Sequence, residues 1–119
     1  MTSRGAGVIE ISWANRRLAK ECETDASGLR RFGPEQWQVI RRRLGVLAAA
    51  PTLVDVRGTP GHFHPLAGDR RGQYALDLRG PTRLVFEPDH DPPPTLPSGG
   101  IDEAKVTAIC ILEVVDYHD

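Results

Sequence analysis

Residues 73–87 read QYALDLRGPTRLVFE, and their pattern decides the fold. Tyr74, Leu76 and Leu78 alternate with Ala75, Asp77 and Arg79. A period of two is that of a strand with one face turned to a core. Gly80-Pro81 is a tight turn. Thr82–Glu87 is the next strand, with Leu84 and Phe86 on one face and Arg83 pointing out of the other. Two such runs joined by so short a turn predict an antiparallel hairpin.

Outward from the hairpin the same logic extends. Ala67–Gly72 (AGDRRG) is a glycine-bearing turn, and His62–Leu66 is a short strand before it. On the other side, Pro88–Gly100 (PDHDPPPTLPSGG) holds five prolines and two glycines and reads as an exposed inserted loop. Lys105–Val115 is apolar at nearly every position from Val106 to Leu112, as expected of a strand buried on both faces.

Upstream, Pro34–Ala49 is the clearest helix. Pro34 suits the first helical position, Glu35 complements the dipole, and Trp37, Ile40, Leu44, Leu47 and Ala48 form one apolar stripe. Arg41, Arg42 and Arg43 lie mostly off that stripe, and Pro51 ends the helix. Asn15–Glu23 is a second helix carrying Leu18 and Cys22, with Asp25–Gly28 as the turn that follows. Val8–Trp13 alternates as a strand, and residues 1–7 read as a tail. The order strand, helix, helix, four strands predicts an α+β domain, a helical hairpin packed on a twisted, mainly antiparallel sheet of about four to five strands.

The 119 residues suit a single domain, and 39% apolar with 26% charged residues excludes a fully disordered chain. No stretch approaches the roughly 20 apolar residues of a membrane span, and no apolar leader opens the chain. Cys22 and Cys110 are too few for a disulfide scaffold and read as reduced thiols of a cytoplasmic protein. The net charge of −1 hides a division: residues 1–83 carry 14 Lys/Arg against 8 Asp/Glu, while residues 84–119 carry Lys105 against 8 acids. That asymmetry predicts an electropositive face and an acidic segment.

Several residues could carry chemistry. His62 and His64, two apart on a strand, share a face. Asp116, Tyr117 and His118 form a polar terminus beyond the most apolar strand. His62, His64, Asp116 and His118 are conceivable donors to a transition metal, but their spacing matches no recognised zinc pattern, so no metal is expected. The alternative is that the imidazoles carry protons beside a basic cleft. Arg83, between apolar strand neighbours, needs a partner such as Asp116 or Glu113, or a phosphate.

The segment from His64 to Tyr74, HPLAGDRRGQY, resembles the HPLKGDRKGQW-type signature of HigB toxins, a branch of the RelE/ParE superfamily that includes plasmid-maintenance killer proteins. The run from Ala75 to Phe86 is similar to that family's next hairpin, and Val114 to His118 is similar to its DYH ending. The resemblance covers about residues 8–119 as one RelE-like domain, with a longer loop at 88–104. It implies the toxin of a type II toxin–antitoxin pair, a ribosome-dependent mRNA endonuclease. It implies cleavage without metal or cofactor, by 2′-OH attack giving a 2′,3′-cyclic phosphate. The family pattern carries over to His64 and His118 as acid and base, Arg83 as phosphate clamp, Asp116 as orienting group and Tyr117 as stacking or donating group. Arg70, Arg71 and Arg79 would bind RNA. The implied partners are a HigA-like helix-turn-helix antitoxin, the ribosome and mRNA, with no membrane. Ala67 stands where the signature commonly has Lys, and the sequence pI of about 6.4 is low for such a toxin. Two other readings stay open: a RelE/ParE-fold binding module of the gyrase or antitoxin-only type, and a metal-dependent hydrolase using His62, His64 and Asp116.

Overall fold

The computed structural model describes residues 7–116. Five strands form one mixed sheet in the order β1 (Glu10–Trp13), β5 (Ala108–Asp116), β4 (Thr82–Pro88), β3 (Tyr74–Asp77), β2 (His64–Pro65). β1 lies parallel to β5, and the other neighbours are antiparallel. Three helices, α1 (Arg16–Glu21), α2 (Asp25–Phe32) and α3 (Pro34–Ala49), follow β1. The expected α+β class holds, with one helix more than the sequence pattern indicated.

That extra helix replaces the turn expected at Asp25–Gly28. Thr24 Oγ1 accepts from the Ser27 N–H at 3.1 Å, and Ser27 Oγ accepts from the Thr24 N–H at 3.2 Å. This reciprocal cap satisfies two orphan donors and starts α2. Short polar residues serve turns and helix starts alike, which is why the pattern misled. Gly28 sits inside the helix because the Trp37 indole lies against it: a Cβ there would stand 2.2 Å from Trp37 Cδ2. The same indole donates from Nε1 to Asp25 Oδ1 at 2.9 Å.

α3 buries Trp37, Ile40 and Leu47 and half-buries Leu44 against the sheet. Ala48 is exposed, contrary to expectation, because one residue beyond Leu47 turns about 100° around the axis. Ile9, Leu76, Leu84, Phe86, Ile109 and Ile111 supply the sheet side of the core. Phe63, Tyr74 and Phe86 stack beside them, with ring centroids 5.1 to 6.2 Å apart. β5 departs from its expectation. Ile109 and Ile111 are buried, but Ala108, Cys110 and Leu112 are only half-buried, so one face alone is sealed by the core. Val106 is fully buried but precedes the strand, its carbonyl accepting from the Leu53 N–H at 3.0 Å.

The long connection from β4 to β5 is pinned rather than loose. Arg57 grips Glu103 with two hydrogen bonds, 2.7 and 2.8 Å long, and the Tyr74 hydroxyl donates to the same carboxylate at 3.1 Å. Ser12 Oγ donates to Asp89 Oδ2 at 3.1 Å. These anchors hold the acidic connection at the helix side and at the β1 edge. Among the described residues no helix is long and apolar enough to cross a membrane.

The Arg57 hydrogen bonds hold the Glu103 carboxyl below its ordinary range, against the opposing effect of burial and with the help of the Tyr74 hydroxyl. A depressed carboxylate contributes stability that is complete above its unfolded value, about 4.3, and is lost as pH falls through the folded value. Urea unfolding at several pH values is expected to show a steeper acid loss in the wild type than in Glu103→Gln. Parallel curves would contradict the anchor.

Candidate functional site

Residues paired across neighbouring strands point to the same face of a sheet. His64 pairs with Ala75, Ala75 with Val85, and Val85 with Glu113, so these four make one row across β2, β3, β4 and β5. Asp77, Arg83 and Val115 make the next row. Both rows lie on the face turned away from the helices. Ala75 and Val85 are fully buried yet lie outside the main core cluster. Arg70 explains part of that burial. It donates to Gln73 Oε1 at 2.7 Å and pairs with Glu113 two strands further on, so its side chain crosses above them.

Asp77 is the junction of this face. Its Oδ1 lies 2.9 Å from Arg83 Nε, and its Oδ2 lies 3.5 Å from His62 Nδ1. The Arg83 contact is an ion pair whose N–H is not aimed at the oxygen, since the two atoms do not meet hydrogen-bond geometry. Backbone contacts place Asp77 from behind. Its N–H donates to the Gly61 carbonyl at 2.6 Å, and its carbonyl accepts from Arg43 Nε on α3 at 2.8 Å. Arg43 is therefore a structural residue, not a solvated one.

The two histidines meet, but not as expected. Only His64 is in β2, and His62 adopts a left-handed backbone with φ 51°, the sole non-glycine with positive φ among the described residues. The His62 carbonyl accepts from His64 Nδ1 at 2.7 Å, and the rings stack with centroids 4.5 Å apart. A carbonyl can only accept, so His64 Nδ1 carries the proton and the neutral ring keeps its lone pair on Nε2. That is the arrangement of a base or a ligand. Arg83 lies on the same face, two strands away and one row further along.

The other expected site residues divide. Arg71 is exposed in the turn between β2 and β3. Arg79 pairs with Glu35 in the first turn of α3, and its N–H donates to Gln36 Oε1 at 2.9 Å, so it belongs to the helix side. Asp116 accepts from Thr82 Oγ1 at 2.6 Å and shares the helix face with Thr82, away from His64 and Arg83. A bulge is the cause. Val85 pairs with Glu113 and Phe86 with Ile111, leaving Leu112 unmatched, and one extra residue reverses every later side chain. Tyr117 and His118 lie outside the described residues. Arg17, Lys20, Arg30 and Arg31 line a single hollow on α1 and α2, so part of the basic excess sits on the helical layer. Sequence reasoning missed Asp77 as a site residue. The available signal was its place opposite Arg83 across the Gly80-Pro81 turn.

Neither a scan against protein-family models nor a search of curated proteins finds a match to this chain.

Gly61 carries the geometry of the junction. Its φ of 117° suits glycine, and a Cβ would stand 2.7 Å from Arg43 Nε. Gly61→Ala is expected to lower stability by about 1–3 kcal/mol in urea unfolding, the cost of one strained backbone position. An unchanged midpoint would show that this turn does not constrain Asp77.

Proposed function

We propose that this chain is a HigB-like toxin of the RelE/ParE superfamily, a ribosome-dependent endonuclease that cuts mRNA and is neutralised by a HigA-like helix-turn-helix antitoxin. The observation that carries the reading is the common face of His64 and Arg83, built by the HPLAGDRRGQY segment and the hairpin after it. β2 and β4 are two strand spacings apart, roughly 10 Å, which a His and an Arg leaning together can close around one phosphodiester.

In this reading His64 Nε2 accepts the proton of the ribose 2′-OH as that oxygen attacks phosphorus. The bond to the 5′-oxygen breaks, a second proton carrier protonates that oxygen, and a 2′,3′-cyclic phosphate and a 5′-OH result. Arg83 moves from Asp77 to the phosphorane oxygens, where its charge matters most. The second carrier comes from His62, stacked on His64, or from His118 at the chain end. Asp77 holds Arg83 and His62 in place before substrate arrives.

The binding-module reading has its own observation. Arg70 and Arg83 are already opposed by Glu113 and Asp77, so carboxylates line the face that phosphate must enter. Primer extension on mRNA after induction separates the two. The nuclease reading expects new 5′ ends within translated regions and upstream fragments with cyclic-phosphate ends. Both products should fall about 100-fold or more in His64→Ala and Arg83→Ala. Arrested growth without cleavage would overturn it in favour of a binder, and the same fragments from both variants would remove His64 and Arg83 from the chemistry.

A further inference from the structure

We propose that His62, His64 and Asp77 form a binding site for one divalent transition-metal ion of the zinc type. One donor atom from each of the three lies within 4.8 Å of the other two. Ligands about 2.0–2.1 Å from a tetrahedral ion stand roughly 3.3 Å apart, and the 3.5 Å between His62 Nδ1 and Asp77 Oδ2 is already close to that edge. The His62 side chain is 69% exposed, so its ring can rotate to close the rest.

Three further features fit a ligand set. The His62 carbonyl fixes the His64 tautomer through Nδ1, as the outer partner of a metal-bound imidazole does. Arg83 engages Asp77 through Oδ1, while the carboxylate turns Oδ2 to His62. The left-handed backbone at His62 brings its ring onto that of His64, a placement the strand alone would not give. Two imidazoles and one carboxylate, with water completing the shell, suit a borderline ion such as Zn²⁺ better than Mg²⁺ or Ca²⁺. The Arg83 charge opposes the ion and limits its affinity. If the proposed cleavage holds, an ion here takes the His64 lone pair that cleavage needs, so occupancy and cleavage exclude one another.

The test is calorimetric titration of Zn²⁺ into the untagged, EDTA-treated and dialysed full chain, with no RNA present, so it stands apart from the nuclease reading. One ion per chain is expected. His62→Asn, which keeps a residue tolerant of the left-handed backbone, and Asp77→Asn should each weaken binding about tenfold or more. Arg83→Gln, which removes the opposing charge, should tighten it several-fold. Circular dichroism confirms that each variant is folded. Absence of saturable binding, or wild-type affinity in His62→Asn and Asp77→Asn, would overturn the site. Where cleavage is observed, Zn²⁺ at saturation should abolish it and EDTA restore it. Cleavage untouched by bound Zn²⁺ would contradict the mutual exclusion alone.

Discussion

The register of the β3–β4 hairpin, which sets Asp77 against Arg83, is the constraint on which the open face depends. The turn at Gly80-Pro81 fixes that register, and Gly80 supplies the φ of 64° that the reversal requires. A slip of one residue in either strand would send its charge to the helix side and bring its leucine, Leu76 or Leu84, out of the core. The hydrophobic pattern therefore enforces the ion pair. Arg43 and Gly61 then hold the Asp77 backbone from the far side, and the carboxylate is left to join an arginine on β4 to a histidine before β2.

The two faces of the sheet have different electrostatic tasks. The helix face buries apolar side chains, and its outer layer displays Arg17, Lys20, Arg30 and Arg31. Exposed charges of that kind act at long range and are screened by salt. The open face is nearly balanced, because Arg70 meets Glu113 and Arg83 meets Asp77. On the proposed nuclease reading, a phosphate arriving there would exchange one anion for another rather than find a bare cation. On that reading the face would discriminate by geometry more than by net attraction.

Much of this architecture is legible in the sequence, for definite reasons. The hairpin and α3 have strong periods, and the glycines and prolines at their ends leave little choice. α2 was hidden because Thr24, Asp25 and Ser27 speak for a turn as readily as for a cap. Half of the site was legible: His64 and Arg83 could be placed on one face by counting alternate residues. Asp116 could not. Counting by twos along β5 puts it with Cys110, and only the unmatched Leu112 moves it to the other side. The His62 ring was expected beside that of His64, and it is, but through a left-handed backbone and a carbonyl hydrogen bond that no period of two reveals.

The central claim is that His64 and Arg83 address one phosphodiester. Its most direct measurement is a nuclear magnetic resonance titration of the labelled protein with a trinucleotide lacking the attacking 2′-hydroxyl, which binds without being cut. The account predicts that the ring resonances of His64 and the Nε–H of Arg83 shift together and saturate at the same ligand concentration. Shifts confined to Arg30 and Arg31 on the helical layer, or none at either residue, would contradict it.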